Sequence, residues 1–296
     1  MDPQNLKAFT AVAETGSFSE AAELLSLTQP AISKRIASLE LDLHNQLFDR
    51  IGRKVSLTEA GRALLPRAQR ILFEIADTER ALSNLSGKVE GRLSMGTSHH
   101  IGLHRLPPVL REYSQRFPDV QLDMKFIDSE QAFDSVSQGE MELGVVTLPP
   151  KIPGHVHTEV IWEDPLTVLV NEEHPLAAAN RSAPVTLQDL ASYPGILPSQ
   201  TTFTRRIVEK LFRDQNLDIE VAISTNYLET IKMMVSIGLG WSVLPASMMD
   251  DSVCQLSVLD CRLSRNLGVV FHPNHSLSNA AKAMLDLLTR SRTAPG

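Results

Sequence analysis

Residues 17–43 read SFSEAAELLSLTQPAISKRIASLELDL, and this stretch decides how the first part of the chain folds. Ser17, followed three residues later by Glu20, forms a capping pair that starts a first helix. Thr28 is an N-cap residue for a second helix, and Pro30 suits its first turn, where a missing N–H costs little. The pattern therefore predicts two short helices joined by a tight turn.

Apolar side chains recur on one side of each predicted helix. The first helix is expected to bury Ala21, Ala22, Leu24 and Leu25. In the second helix, the apolar stripe consists of Ile32, Ile36, Leu39 and Leu43. The opposite face carries short or hydrogen-bonding residues, namely Gln29, Pro30, Ser33, Lys34 and Ala37. One face of the second helix is therefore suited to packing in a core, and the opposite face to contact with a binding partner.

Double-stranded DNA fits this outward face. Helix-turn-helix proteins place the N-terminal residues of their second helix in the major groove. Gln29 and Ser33 can reach base edges, while Lys34 and Arg35 can contact phosphate or guanine. A helical hairpin in an ordinary core has the same periodicity, so the segments that follow decide between the two interpretations.

A short hairpin is predicted next, with strands near residues 48–50 and 55–57 and a turn around Gly52. Arg50 and Arg53 lie on this hairpin, where they are expected to contact DNA phosphates beside the groove. Solvated cations on an exposed turn are the alternative interpretation.

Four motifs carry a family resemblance. They are Thr28-Gln29-Pro30-Ala31-Ile32-Ser33-Lys34-Arg35-Ile36, Leu39-Glu40, Leu47-Phe48-Asp49-Arg50 and Leu57-Thr58-Glu59-Ala60-Gly61. Together they resemble the N-terminal signature of LysR-type transcriptional regulators. The resemblance implies a winged helix-turn-helix over residues 1–58 that binds operator DNA. Its DNA-binding residues are expected to be Gln29, Pro30, Ser33, Lys34, Arg35, Arg50 and Arg53.

Thr58 is the predicted N-cap of a long helix that runs to about Leu85 and bends near Pro66. Its apolar residues are spaced as in a coiled-coil seam: Leu64, Ala68, Ile71, Ile75, Leu82 and Leu85. A rod of about 40 Å is too long for one small domain to cover, so a second copy of the chain is expected to cover it. The resemblance implies a linker helix over residues 59–87 that makes a homodimer, and effector domains that join dimers into a homotetramer.

Strands and helices alternate beyond Gly91. The predicted strands lie near residues 93–95, 121–126, 143–146, 166–170, 242–244 and 267–271. The predicted helices lie near residues 106–117, 131–138, 204–215, 227–237 and 277–290. This alternation predicts an α/β fold with a mostly parallel sheet.

Later motifs, Glu142 to Val146, His174 to Ala177 and Gly238 to Trp241, also resemble the family. The implied fold of residues 91–296 is two α/β subdomains joined by two crossovers, like a periplasmic solute-binding protein. Subdomain I is expected to comprise residues 91–162 and 267–296, and subdomain II residues 163–266. Ligands of such folds bind in the cleft, near the C-terminal ends of parallel strands.

The loop after the first of these strands predicts an effector site. Hydroxyls and backbone amides at a helix start can hold an anion, and Ser98 and His100 lie there. Family members commonly carry Ser or Thr at both positions, and His100 departs from that pattern. By resemblance, Ser129, Thr147, Thr202 and Phe203 also line the cleft. A small, anionic effector is therefore expected, although each hydroxyl is equally explained as a helix cap or loop hydrogen bond.

His99, His100 and His104 raise the alternative of a metal site, because His100 and His104 are one helical turn apart. No Glu lies in the same segment, and a neutral imidazole that donates to an effector explains His100 as simply. Catalytic motifs are also missing, so we expect no metal, no cofactor, no catalytic residue and no enzyme. The alternative class is a metal-dependent hydrolase or a solute-binding protein that uses the three histidines.

The formal net charge of -7 over 296 residues argues against indiscriminate binding to nucleic acid. Residues 34–70 nevertheless carry eight basic side chains against four acidic ones, so DNA contact is expected to be local. The N-terminus lacks a basic region followed by an apolar run, and Cys254 and Cys261 are too few for a disulfide framework. These observations predict a cytoplasmic protein without a membrane partner.

Overall fold

The structure is a computed structural model that describes residues 1–51, 54–259 and 261–292. The chain forms two compact units. The N-terminal unit comprises Met1–Ser86 and Gln138–Glu140, and the C-terminal unit comprises Gly87–Ser137 and Met141–Gly296.

The N-terminal unit begins with three helices, α1 (Pro3–Thr15), α2 (Phe18–Leu24) and α3 (Gln29–Leu43). An antiparallel hairpin follows, made of β1 (Phe48–Ile51) and β2 (Lys54–Leu57), and the long helix α4 spans Glu59–Ser83. The predicted helix-turn-helix, hairpin and long helix are therefore all present. The turn predicted around Gly52 lies outside the described residues.

Two of the predicted caps start their helices. The Ser17 hydroxyl accepts the N–H of Glu20 at 3.3 Å, and the Thr58 hydroxyl accepts the N–H of Gly61 at 3.0 Å. Gly61 also permits a close approach, because a Cβ there would lie 2.2 Å from the carbonyl oxygen of Leu47. The start of α4 is thereby fixed against the chain that leads into the hairpin.

One local prediction holds only in part and another is wrong. Thr28 is the N-cap residue of α3 with an extended backbone, as predicted, but its side chain makes no cap hydrogen bond. Pro30 explains this in part, since it removes one of the N–H groups that a cap could satisfy. Leu24 is 62% exposed because it lies off the buried stripe of α2, which consists of Phe18, Ala21, Ala22 and the partly buried Leu25.

The core of the N-terminal unit joins all three helices to the hairpin. The Phe48 ring lies 5.4 Å from the Phe9 ring and 5.8 Å from the Phe18 ring, measured between centroids. On α3 the predicted residues Ile32, Ile36 and Leu39 are fully buried, and Leu43 packs partly against the same core. This packing holds the opposite face of α3 outward.

The predicted seam of α4 is used in two ways. Ala68 is fully buried in the core of the N-terminal unit, and Leu64 and Ile71 pack partly against it. Leu82 on α4 and Leu85 in the turn that follows are 64% and 82% exposed. Ala68 therefore belongs to the unit's own core, while Leu64 and Ile71 are covered only in part and Leu82 and Leu85 are open to a second chain.

The described residues of the C-terminal unit form nine strands in two sheets. They are β3 (Gly91–Thr97), β4 (Val120–Phe126), β5 (Leu143–Thr147), β6 (His157–Val170), β7 (Gly195–Leu197), β8 (Val221–Ser224), β9 (Ser242–Pro245), β10 (Cys254–Leu256) and β11 (Leu263–Phe271). The larger sheet has the order β10-β6-β11-β5-β3-β4, and β9 also pairs with β6. The smaller sheet pairs β7 with β8.

Two long strands, β6 and β11, run antiparallel to each other through the centre of the larger sheet. The sequence pattern predicted only their last five residues each, Leu166 to Val170 and Leu267 to Phe271. Among the named strands of the described ranges, β3 pairs in parallel with β4 and β5, and β7 with β8, while the remaining strand pairs are antiparallel. The prediction of a mostly parallel sheet is therefore wrong, because the two crossovers are themselves antiparallel strands.

Eight helices in the described part of this unit cover the sheets: α5 (His99–His104), α6 (Pro107–Arg116), α7 (Ser129–Ser137), α8 (Pro175–Asn180), α9 (Leu187–Ala191), α10 (Phe203–Arg213), α11 (Leu228–Ser236) and α12 (Asn279–Ser291). We call β3–β5 with α5–α7 and α12 the first lobe, and β7–β10 with α8–α11 the second lobe. Each lobe has its own apolar core. Across the described part of the chain, no helix combines the length and the apolar character needed to span a membrane.

Candidate functional site

The outward face of α3 presents a compact set of polar groups. Gln29, Pro30 and Lys34 are exposed, and Ser33 is half-buried. The Gln29 amide donates to the Ser33 hydroxyl at 3.2 Å, so the two side chains face the same way one helical turn apart. These four residues lie in the first two turns of α3, as a groove-reading helix requires.

The structure describes the three predicted DNA-binding arginines, Arg35, Arg50 and Arg53, to different extents. The Arg35 guanidinium donates to the backbone carbonyl of Gln4 at 3.2 Å and to its side-chain oxygen at 3.1 Å, so it is held toward α1. Arg50 lies in β1 opposite Val55, but its side chain, like all of Arg53, lies outside the described residues.

The C-terminal unit has a cleft with a cavity of about 300 Å³ between its two lobes. Five of the predicted effector residues line it: Ser98, His100, Ser129, Thr147 and Thr202. The Ser98 hydroxyl makes no cap hydrogen bond to α5, so among the described residues it is free of that role. Phe203 is not among the lining residues, because its ring packs against Phe133 at a centroid distance of 6.1 Å.

The hydroxyls of Ser129 and Thr202 also make hydrogen bonds that stabilise the fold. The Ser129 hydroxyl accepts the Thr147 N–H at 3.0 Å. The Thr202 hydroxyl caps α10 by accepting the Arg205 N–H at 3.2 Å. The cap interpretation therefore holds for Thr202, and these groups shape the cleft wall as well as lining it.

A buried charge network forms the floor of the cleft. The Asp164 carboxylate is fully buried, and it accepts the Arg265 Nε–H at 2.8 Å and an Arg105 N–H at 3.0 Å. The Arg265 guanidinium, only 5% exposed, also donates to the Thr204 hydroxyl at 3.0 Å and lines the cavity. Burial lowers the pKa of Arg265, and Asp164 opposes that shift. Two guanidinium groups therefore share one carboxylate within this network, and the Glu130 carboxylate, which also lines the cavity, favours the charged form of Arg265.

Polar contacts between described residues join the lobes across the cleft. The Asp128 carboxylate accepts from the Asn226 amide at 2.7 Å, and the Glu130 carboxylate accepts the N–H of Phe203. Burial raises the pKa of Glu130, although the Phe203 N–H acts in the opposite sense. His104 Nε2 lies 3.1 Å from Glu229 Oε1 on α11. The lobes therefore meet through polar groups, a kind of contact that a ligand can replace or strengthen.

His100 is almost completely buried, at 4% exposed. Burial and the nearby Arg265 lower its pKa to about 4, so the imidazole is neutral at pH 7. Its Nδ1 lies 3.7 Å from Glu229 Oε1, which is too long for a hydrogen bond. Neither ring nitrogen has a hydrogen-bond partner among the described residues.

Several cleft residues were not predicted from the sequence. They are Asp128, Glu130, Thr204, Asn226, Glu229 and Arg265. A signal for Arg265 was available, since it falls on the same side of β11 as the buried Leu267, and a charged residue on an apolar face is unusual. No comparable signal marks Glu229, which meets His104 from 125 residues away.

These features define a helix-turn-helix protein with a two-lobed ligand-binding unit. A family profile described as "LysR substrate binding domain" matches residues 86–292. A second, described as "Bacterial regulatory helix-turn-helix protein, lysR family", matches residues 3–62. The chain belongs to the LysR family of transcriptional regulators.

Individual proteins agree with this assignment. An uncharacterized HTH-type transcriptional regulator of Azotobacter vinelandii is 71% identical over 108 residues, which are 36% of this chain and 75% of that protein. The uncharacterized regulator YeiE of Escherichia coli is 32% identical over 96% of this chain and 95% of its own length. The crystal structure of full-length CbnR with its target DNA shares the fold, with a TM-score of 0.65 at 21% identity over 98% of this chain and 100% of that one.

We predict that Ser33→Ala combined with Lys34→Ala weakens binding to DNA from the chain's own promoter by about 10-fold or more. Loss of a base contact lowers specificity, and loss of a phosphate contact lowers the salt dependence of binding by about one counterion. Fluorescence anisotropy at several salt concentrations measures both effects.

Lys282→Ala is the control, because it removes the same charge from an exposed position on α12. It should leave operator affinity unchanged. Equal affinity of the double variant and the wild type would show that α3 does not read the DNA.

Proposed function

We propose that this regulator binds operator DNA through Gln29, Pro30, Ser33 and Lys34 of α3, with support from Arg50 and Arg53 on the hairpin. Arg35 has a lesser role in this proposal, because Gln4 already binds its guanidinium. We further propose that a small anion in the cleft between the lobes regulates this binding. The DNA target requires a cytoplasmic location, and no catalytic step is needed for either role.

The buried Arg265 guanidinium supports an anionic ligand most directly. It lines the cavity beside hydroxyl groups of both lobes that can donate to an anion, Ser98 of the first and Thr204 of the second, whereas the Thr202 hydroxyl already donates to the Ser199 carbonyl at 2.9 Å. Its partner Asp164 is shared with Arg105, so this one carboxylate does not compensate both guanidinium groups. Asp128 and Glu130 also line the cavity, but each already accepts a hydrogen bond across the cleft. We therefore place the anion at the Arg265 end.

The size and position of the cavity narrow the ligand class. A volume of about 300 Å³ is at the lower end of ligand sites, which span about 300–1,000 Å³. It favours a small carboxylate or an inorganic oxyanion. A ligand that contacts Ser98 and Thr202 together would bridge the two lobes and favour one arrangement of them. His100 would contribute a neutral N–H donor, with Ser129 and Thr147 in the wall.

The alternative functions are less well supported. A solute-binding protein has no use for the helix-turn-helix of residues 3–62. A hydrolase built on all three histidines is not supported, because His99 does not join the cluster that His100 and His104 form. The His99 ring instead packs between Phe126 and Tyr227, at centroid distances of 5.9 and 5.1 Å.

For the organisation of the chain, we propose a DNA-binding domain over residues 1–58, a linker helix over residues 59–87 and an effector domain over residues 91–296. The effector domain would divide into residues 91–162 with 267–296, and residues 163–266. A homodimer through the exposed end of α4, assembled further into a homotetramer, would cover Leu82 and Leu85 and present two DNA-binding units to a two-fold-related operator.

The proposed anion is testable by thermal shift of the full-length protein against small carboxylates and oxyanions. An anion at about 100 times its dissociation constant should stabilise the protein by about 2.7 kcal/mol, or about 5–10 °C. Ser98→Ala should weaken binding by about 10-fold or more, since it removes a hydrogen bond to a charged group.

Ser94→Ala is the matched control, because Ser94 lies on β3, the strand that leads into Ser98, but does not line the cavity. A full panel without a stabilising anion would exclude the proposed effector class. An anion that stabilises wild type and Ser98→Ala equally would move the site elsewhere.

The proposed dimer is testable with Ile75→Glu combined with Leu82→Glu. Carboxylates buried against each other across a seam are strongly unfavourable, so light scattering should show a smaller species. Ile71 is unsuitable because it packs against the core of the N-terminal unit. Leu41→Glu, at a leucine that is 73% exposed on α3, is the control and should keep the wild-type mass. An unaltered mass in the double variant would contradict the α4 interface.

A further inference from the structure

Three side chains of metal-binding type meet where α5 of the first lobe faces α11 of the second. They are His100, His104 and Glu229, and their ligand atoms all lie within 4.8 Å of one another. Glu229 Oε1 is 3.1 Å from His104 Nε2 and 3.7 Å from His100 Nδ1. The two imidazole rings have a centroid distance of 4.7 Å. One helical turn separates the histidines, and the fold supplies the carboxylate that the local sequence lacks.

The His100 side chain is the observation that points to a ligand. It is 96% buried, since only 4% is exposed, yet neither of its nitrogens has a hydrogen-bond partner among the described residues. Buried polar groups are nearly always satisfied, and those without a protein partner call for an explanation such as an ion. The hydrogen bond between His104 and Glu229 satisfies those two side chains but leaves the His100 nitrogens without a partner among the described residues. A cation between the three groups would satisfy His100 Nδ1 as well.

We propose that His100, His104 and Glu229 bind a divalent transition-metal ion of the Zn²⁺ type. Two imidazoles and one carboxylate are a common set of zinc ligands, and zinc bonds of about 2.0–2.1 Å place neighbouring tetrahedral ligands about 3.3 Å apart. The distances of 3.1 and 3.7 Å to Glu229 bracket that value. Oxygen-only ions such as Mg²⁺ fit the imidazoles poorly.

Such an ion would hold the lobes together, because two ligands belong to α5 and one to α11. Three protein ligands leave a fourth position for water or an oxygen of a ligand in the cleft. His100 lines the cavity, and a metal-bound histidine commonly donates its second ring N–H to a neighbouring group. The metal site is a property of the chain itself and does not depend on the proposed effector.

The test uses the untagged full-length protein, stripped of metal with a chelator, in the absence of DNA and effector. Co²⁺ should give the intense visible absorption of a tetrahedral site at one equivalent per chain, and Zn²⁺ should displace it. His104→Ala should abolish this absorption and weaken Zn²⁺ binding, measured by competition with a chromophoric chelator, by at least about 100-fold. Changes to groups that merely orient ligands cost about 10–100-fold. Glu229→Gln keeps the size of the side chain and should also lose the absorption.

His99→Ala is the matched control, since His99 is an exposed histidine of the same helix that does not join the cluster. It should retain the absorption and the Zn²⁺ affinity of the wild type. Wild type without tetrahedral Co²⁺ absorption, or His104→Ala and Glu229→Gln with unchanged Zn²⁺ affinity, would overturn the proposal. Neither result would affect the proposed anion at Arg265, which Ser98→Ala tests separately.

Discussion

The ion pair between Asp164 and Arg265 is the interaction on which the two-lobed unit depends most. The two residues are direct partners in the antiparallel pairing of β6 and β11, the strands that carry the chain between the lobes. Asp164 is fully buried, and Arg105 of the first lobe and Thr204 of the second complete the network. Removal of one partner of a buried pair costs about 3–5 kcal/mol, because the other charge is left without compensation. The same ion pair therefore joins the two crossover strands and forms the floor of the cleft.

The same ion pair also determines where the cleft carries its buried cation. Arg265 is held by Asp164 on one side and Thr204 on the other, so its position is set before a ligand arrives. A preorganised cation loses little entropy on binding an anion. Asp128, Glu130 and His104 make further polar contacts with the second lobe. A ligand at Arg265 can thus alter how firmly the lobes meet without rebuilding the fold.

Local sequence patterns were sufficient to predict the helices of the N-terminal unit. Caps at Ser17 and Thr58 and the stripe of Ile32, Ile36 and Leu39 follow from helix geometry and neighbouring residues alone, and the structure confirms them. The resemblance to LysR-type regulators was also correct, and it led to the two-lobed fold. The error at Leu24 arose because seven residues of α2 allow more than one apolar stripe.

Long-range pairing explains what the sequence did not reveal. The first half of β6 has no clear alternation, because its burial depends on which strand lies beside it, and only the apolar run from Leu166 gave a local signal. Residues at the ends of predicted strands, such as Ser98 and Thr147, could be placed in the cleft from topology. Glu229 could not, since it meets His104 of the first lobe from 125 residues away. The signal at Arg265 marks an unusual charge on an apolar strand face but does not place that charge in the cleft.

The most direct test of this account is whether anion binding in the cleft and operator binding change each other's affinity. The affinity for operator DNA is measured with and without the stabilising anion, and the affinity for the anion with and without operator. Linkage requires both to change by the same factor, and a working effector should give about 5–150-fold. An anion that binds in the cleft and leaves operator affinity unchanged would contradict the coupling of the two units.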